Sequence, residues 1–392
     1  MRVRRARPER FGAMVATEEP PALIAVDRVL ARRMGIDGDT LWIDDDPGLD
    51  VAVLQGPTEV HLAVTDRCPA GCTACYADAT PEGHEPTLAE VCARLDQLAT
   101  AGAFSVALGG GEGALREDLP DVVAHARSVG LTPTLTTSGL GLTPARARAL
   151  RGLAQVNVSW DGPAELYHSV RGYDGARGAE RTVRILRDAG IPVGLNTVLT
   201  RTTMEALERI GEGAAALDPV ELQLLRLKPS GRGRLHYLAL RPPPHLLATL
   251  PEALERLSRA HAFAVRIDCA LVPFLGRIDV ERLRTFGVNG CEAGRSLMTV
   301  GATGTVGPCS FWGAADAPLG ASSWADDPTL GAFRAYAAAP PAPCADCPVR
   351  AVCRGGCRIV SRHLTGDAFA PDPECPRVRR HQGSAKVRSD AT

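Results

Sequence analysis

Three cysteines in the stretch Thr65-Asp-Arg-Cys-Pro-Ala-Gly-Cys-Thr-Ala-Cys-Tyr76 stand as Cys68-x3-Cys72-x2-Cys75. Three closely spaced thiolates hold an iron–sulfur cubane by three corners and leave the fourth iron without a protein ligand. Electron-transfer clusters close every iron with protein, so an open corner reads as a place to bind and reduce something. The same triplet also fits part of a zinc knuckle, because thiolates suit tetrahedral zinc. A second block runs Cys291-x12-Gly304-x4-Cys309, then Cys344-x2-Cys347-x5-Cys353-x3-Cys357, then Cys375. Its Cys-x2-Cys pair fits a zinc ribbon or further clusters. Two cysteines remain. Cys92 lies on the apolar face of a predicted helix and reads as core; Cys269, just upstream of the second block, reads equally as a further ligand or a buried strand residue.

Bulk composition narrows the class. A chain of 392 residues is long enough for two or three domains. Its 44 Lys+Arg against 45 Asp+Glu give no electrostatic reason for a nucleic-acid partner. Basic clusters at Met1–Arg10 and Arg377–Arg388 read as solvated tails. No apolar segment follows the basic start and no run of 18 apolar residues occurs, so no signal peptide or membrane span is expected and the location expected is cytoplasmic. Twelve cysteines without an export signal point to metal or redox chemistry rather than a disulfide scaffold.

These residues need a frame. Short β-branched runs alternate with amphipathic segments between residues 58 and 240. The strands expected are Val60–Thr65, Phe104–Leu108, Thr132–Thr137, Gln155–Ser159, Val193–Thr200 and Glu221–Leu227. The helices expected between them are Thr87–Ala101, Leu119–Val129, Ala145–Leu153, Gly178–Ala189 and Met204–Ala216. That alternation builds a parallel α/β sheet, and six repeats with no seventh or eighth predict an open partial barrel. Residues 1–57 form an N-terminal extension, with a helix expected over Pro21–Met34 and a hairpin from Thr40 to Leu54. A connecting helix at 241–264 then leads to a cysteine-rich region at 265–378 and a disordered basic tail at 379–392.

The triplet followed by Tyr76 resembles the signature of the radical S-adenosylmethionine (SAM) superfamily, and the strand ends carry matching pieces in order. Gly109-Gly-Gly-Glu112 follows the second strand, Thr136-Thr-Ser138-Gly139 the third, Val158-Ser159-Trp-Asp with Arg171 the fourth, and Leu195-Asn196-Thr197 lies on the fifth. The resemblance implies a partial (β/α)6 barrel whose [4Fe–4S] cluster is held by Cys68, Cys72, Cys75 and SAM. It implies SAM contacts from Tyr76, Gly109, Gly110, Gly111, Glu112, Ser138, Ser159, Arg171 and Asn196. Of these, Glu112 would pair with the SAM amino group, Arg171 with its carboxylate, and Ser159 and Asn196 with the ribose side. Where the family often has Pro after the Glu, this chain has Gly113.

The second block resembles the SPASM extension, a C-terminal domain that binds two auxiliary [4Fe–4S] clusters. Carried over, Cys344, Cys347, Cys353 and Cys375 would hold one, and Cys291, Cys309 and Cys357 three corners of the other, with Cys269 the candidate fourth. The resemblance implies an oxidoreductase in which a 5′-deoxyadenosyl radical starts an oxidative crosslink, thioether or related modification of a ribosomally made precursor peptide. It also implies a one-electron reductant such as flavodoxin or ferredoxin, and a separate leader-recognition protein if residues 1–57 are too short for that task. Three alternatives stay open: small-molecule dehydrogenation or redox-cofactor biosynthesis, sulfatase maturation, and a non-catalytic zinc module. Related quinone-cofactor enzymes have Asp among the second block's ligands, where this chain has Cys353. Sulfatase maturases carry a basic Asp after the Gly-x4-Cys cysteine; here that residue is Ser310, and the role of base has no evident occupant.

Overall fold

The computed structural model describes residues 2–43, 54–276, 278–285, 288–313 and 317–389. The expected strands form, within a residue or two of their expected bounds: β4 (Glu59–Thr65), β5 (Ser105–Gly110), β6 (Thr132–Thr137), β7 (Val156–Ser159), β8 (Val193–Leu199) and β9 (Glu221–Arg226). Neighbours in sequence are neighbours in the sheet, and every pair is parallel. Alternation along each strand sorts its side chains. On β4, Val60, Leu62 and Val64 are buried in the helix-covered core, while Glu59, His61 and Ala63 line a cavity on the other face. The helix Leu88–Thr100 starts at a Thr87/Glu90 capping box and buries Val91, Leu95 and Leu98 against that core. Cys92, on the same helix, is only half-buried.

The sheet does not stop at six strands. β10 (Ala264–Ile267) pairs parallel with β9, and β11 (Leu297–Val300) pairs parallel with β4 at the opposite edge. β12 (Thr305–Gly307) and β13 (Ala317–Pro318) continue antiparallel from β11. The order is β10-β9-β8-β7-β6-β5-β4-β11-β12-β13, open between its ends. The open barrel of six repeats is as expected, and β10 and β11 extend its sheet at the two edges. β10 and β11 are four residues each, separated by the 3-10 helix Cys269–Phe274 and the six-residue helix Val280–Thr285, so their periodicity is too short to read; pairing with a sheet edge makes them strands. The expected connecting helix is two, Pro244–Leu247 and Leu250–Ala260, and the expected Met204–Ala216 helix is likewise split at Ala206.

Residues 3–27 form a separate antiparallel sheet of β1 (Val3–Glu9), β2 (Gly12–Glu18) and β3 (Pro21–Asp27), followed by the helix Arg28–Arg33 with Asp27 as its cap. A helix was expected from Pro21; its first half is strand because seven residues pair with β2, while Leu23, Val29 and Leu30 stay exposed. Of the expected Thr40–Leu54 hairpin, Asp39–Trp42 is a 3-10 turn and residues 44–53 lie outside the described residues.

The basic start is no loose tail. Arg7 donates to the carbonyls of Pro57 and Gly102, both at 2.8 Å, and pairs with buried Glu9; Arg5 donates to Ala99 O. A helix over Pro376–Ser389 takes in part of the tail expected to be disordered at 379–392, of which residues 390–392 lie outside the described residues; its Arg377 donates to Pro343 O at 3.1 Å. Among the described residues no helix is long and apolar enough to cross a membrane.

Candidate active site

A cavity of about 1430 Å³ fills the open barrel and reaches from the loop after β4 to the β10 and β11 edges of the sheet. Cys68, Cys72 and Cys75 all line it, each half-buried. Their loop is pinned from several sides. Cys68 N donates to Thr80 O at 2.8 Å, Thr73 N to Arg171 O at 3.0 Å, and Arg232 Nε to Cys72 O at 3.2 Å. Burial pushes the Cys68 thiol up; a backbone hydrogen bond at Ala70 opposes this, and Glu112, Cys72 and Cys75 add to the rise.

After β5 the backbone of Gly109–Gly111 and the residue Glu112 line the cavity. Gly110 has φ +102°, and a Cβ there would lie 2.3 Å from Thr65 O; at Gly111 it would lie 2.2 Å from Arg67 O. Only glycine permits this close approach of the β4 and β5 ends. Glu112 is 2 % exposed and accepts from Thr137 Oγ1 (2.5 Å), Ser138 N (2.7 Å), Ser138 Oγ (2.5 Å) and Ala114 N (3.2 Å). Burial raises its carboxyl and those hydrogen bonds oppose the rise. Glu112 still lines the cavity, and with Thr137 and Ser138 it ties the β5 end to the β6 end.

Ser159 and Asn196 are register partners on β7 and β8 and stand together at the cavity wall. Asn196 Oδ1 is buried without a hydrogen-bond partner, the mark of an acceptor awaiting a ligand. Arg171 closes its helix before Gly172 and donates from Nε to Asp161 Oδ2 at 2.6 Å. Burial opposes its charge, but Asp161 and Cys72 outweigh that and hold it firmly protonated. Its positive charge in turn opposes the rise that burial gives the Cys72 thiol, so a carboxylate would meet an arginine already anchored by Asp161 near the triplet. Tyr76 stacks 4.9 Å from Phe311, and burial pushes its phenol up to about 12.

The remaining cysteines fall into two groups. Cys269, Cys291, Cys309 and Cys357 all line the cavity, and their thiols act on one another electrostatically. Burial, with Cys291 and Cys357 adding, pushes Cys309 up to about 12. Cys269, equally a core residue or a ligand from sequence, stands with this group. Beside it Lys228 pairs with Asp268 and lies 4.1 Å over the Phe311 ring. Cys344, Cys347, Cys353 and Cys375 make the second group, away from the cavity, and Cys344 is pushed up to about 11 by burial, with Cys375 and Cys347 adding. Three consecutive left-handed residues, Arg354, Gly355 and Gly356, turn the chain so that Cys353 joins one group and Cys357 the other.

The donor chemistry of the two groups is four thiols each, and that of the triplet is three. Thiolates are ligands of iron–sulfur cubanes and of tetrahedral zinc alike.

Sequence reading missed Glu59 and His61, which face the cavity with Ser310, and it missed Lys228 and Asp268. Strict alternation on β4 held the signal for the first two: a polar 59/61 face opposite an apolar 60/62/64 face.

The radical SAM superfamily model matches residues 62–212. A PqqA peptide cyclase of Methylocella silvestris is 30 % identical over 355 residues, covering 86 % of this chain and 92 % of its own. One of Streptomyces rochei is 28 % identical, covering 81 % and 89 %. Among solved structures, Streptococcus suis SuiB bound to S-adenosylmethionine superposes with a TM-score of 0.74 at 16 % identity, over 95 % of this chain and 98 % of its own. The enzyme anSMEcpe with bound AdoMet gives 0.65 at 17 % identity, over 84 % and 98 %. At such identities these two likenesses establish the fold.

Proposed function

The chain belongs to the radical SAM superfamily, and from that premise we propose that it oxidatively modifies a ribosomally made precursor peptide, joining or functionalising its side chains within the barrel cavity. One observation carries the reading: the Cys68/Cys72/Cys75 triplet and the Cys269/Cys291/Cys309/Cys357 group open onto the same cavity. A hydrogen-abstracting centre and an electron acceptor would thus share one substrate chamber, as net oxidation requires. The peptide is favoured by the curated relatives, peptide cyclases that align along nearly the whole chain, and by SuiB, solved bound to its precursor peptide SuiA.

When bound, the triplet's cubane and SAM supply the one-electron chemistry and the 5′-deoxyadenosyl group that removes a substrate hydrogen atom. The protein supplies position. Backbone at Gly109–Gly111 offers close-approach surface, Asn196 an open acceptor, Arg171 a fixed positive charge beside Cys72, and Tyr76 an aromatic wall. Cys269/Cys291/Cys309/Cys357 and Cys344/Cys347/Cys353/Cys375 would each hold an auxiliary [4Fe–4S] cluster, and an external one-electron reductant of the flavodoxin or ferredoxin type would feed them.

Anaerobic reconstitution tests this. Three cubanes require about twelve irons per chain, and dithionite with SAM should yield 5′-deoxyadenosine. Co-expression with short reading frames cloned from the DNA flanking the gene should change the mass of a peptide among them. One or two zinc ions and no iron would overturn the reading. Asn196→Ala should weaken SAM binding about tenfold, the equivalent of one lost hydrogen bond, measured by equilibrium dialysis; an unchanged affinity removes Asn196 from the SAM site.

A further inference from the structure

Oxidising a substrate radical releases a proton as well as an electron, and the position that would hold a carboxylate base in a sulfatase maturase is Ser310 here. Ser310 is not isolated. Its Oγ lies 2.8 Å from Nδ1 of His61, and Nε2 of His61 lies 3.1 Å from Oε1 of Glu59. All three side chains line the cavity, Glu59 and His61 from the lumen face of β4 and Ser310 from the residue after Cys309. Thr299 Oγ1 donates to the His61 carbonyl at 2.9 Å and clamps this part of β4 to β11. We propose that Glu59, His61 and Ser310 form a proton relay in which Ser310 faces the substrate and His61 takes its proton. The proposal rests on the peptide-oxidation reading and names the base that reading lacks.

The hydrogen bonds set the direction of transfer. An ionised carboxylate only accepts, so Nε2 carries the hydrogen donated to Glu59, and Nδ1 is left to accept from the Ser310 hydroxyl. The hydrogen bond from His61, with Arg266 nearby, holds the Glu59 carboxyl below the usual carboxylate range, which keeps it ionised. A substrate proton then passes to Ser310 Oγ as the Ser310 hydrogen moves to His61 Nδ1, and Glu59 stabilises the imidazolium. The balance closes on the net loss of two hydrogens. One leaves as a hydrogen atom in 5′-deoxyadenosine. The other leaves as a proton on His61 and an electron in an iron–sulfur acceptor, while the new bond forms between substrate atoms. Glu59 and His61 act through Ser310 and are positioning residues; Ser310 is the group that meets substrate.

The test uses reconstituted holoenzyme with SAM, dithionite and a short peptide translated from the DNA flanking the gene. His61→Asn and Ser310→Ala should raise 5′-deoxyadenosine formed per modified peptide by about a hundredfold, the scale of a lost general base. Ser310→Thr, which keeps the hydroxyl, should stay near the wild-type ratio. Ser310→Asp placed in the His61→Asn protein should restore coupling, because it sets a carboxylate base directly at the substrate. A wild-type ratio in His61→Asn, or no rescue by Ser310→Asp, overturns the relay. If wild-type protein forms no 5′-deoxyadenosine at all, the radical reading falls instead. If it forms 5′-deoxyadenosine but leaves that peptide unmodified, 15N NMR of histidine-labelled holoenzyme decides. His61, assigned by its loss in His61→Asn, must be the Nε2–H tautomer and its Nδ1 signal must move in Ser310→Ala. The other tautomer or an unmoved signal refutes the relay.

Discussion

Cys269, Cys291 and Cys309 hang from segments that enter or leave sheet strands β10, β11 and β12, and with Cys357 they face the barrel cavity. Cys344, Cys347, Cys353 and Cys375 sit on loops and short helices outside it. The first group inherits its geometry from strand register and would stay in place whatever it holds. The second has little framework beyond its own turns, so its order would come in part from the group it binds. Between them lies Asp372. It accepts from Cys357 N (3.1 Å) and Arg226 Nη1 (2.6 Å) through Oδ2, and its carbonyl accepts from Cys375 N (3.0 Å). Arg226 is on β9 and also binds Glu374, so one buried arginine fastens both groups to the barrel. A substrate-side site is built into the sheet, and a remote site is moored to it.

The strongest test of this contrast removes one thiol from each group. Each variant should lose about four irons. Cys309→Ala should lose peptide modification at least about a hundredfold, and Cys347→Ala less than about tenfold, the range seen when support around a metal site is removed. Equal losses, read by mass spectrometry of the peptide, would erase the distinction. Asp372→Asn comes next, because it leaves Arg226 buried with only Glu374. Unfolding in urea should show a loss of about 3–5 kcal/mol.

Burial works against the Asp372 charge, but Arg226 outweighs it and holds the carboxyl below the ordinary range. Its contribution is thus present above the ordinary carboxyl value of about 4 and lost as pH falls through the lower folded value. Wild-type stability should fall more steeply below about pH 4 than that of Asp372→Asn; parallel curves would refute the assignment.

Gly356→Ala should cost about 3 kcal/mol, the upper end for a strained left-handed residue, since φ is +82° and the new Cβ would lie 2.5 Å from Asp372 Cβ. Thermal unfolding and iron content should fall together; retention of both means the turn does not partition Cys353 from Cys357. The smallest effect is electrostatic. Lys228→Met removes a buried charge beside Cys269 at the cavity group, and Asp268→Asn removes its partner. At an effective dielectric of about 20, a unit charge several ångströms away is worth on the order of 2 kcal/mol, or about 90 mV for one electron. Potentiometric EPR should show the cavity group's midpoint fall in Lys228→Met and rise in Asp268→Asn, with the outer group unmoved. A shift in the outer group instead would reverse the assignment of charge to site.

The cysteine spacing and the strand-end motifs were legible because each is local: residues within one loop, on a repeat whose strand and helix periods are long enough to read. Contacts made across the sheet were not. His61 and Ser310 are 249 positions apart, and nothing in either neighbourhood points to the other. Glu112 illustrates the reverse case. Its place after three glycines is plain in sequence, yet the hydrogen bonds from Thr137 and Ser138, on the next strand end, that fix it at the cavity wall are not.

By itself the sequence determined the chemistry on offer: three thiolates in one loop, further thiolates in a second cysteine-rich block, and a parallel α/β frame to present them. That follows because ligand type, spacing and alternation are properties of short stretches. Only the tertiary structure decided which cysteines stand together, that Cys269 joins the cavity group, and that the sheet recruits β10 and β11 from the cysteine-rich region. It also set Glu59, His61 and Ser310 into one hydrogen-bonded line. Those outcomes depend on which edges pair and which side chains are left facing a shared cavity, and strand pairing between distant segments is settled by the whole packed sheet rather than by any window of sequence.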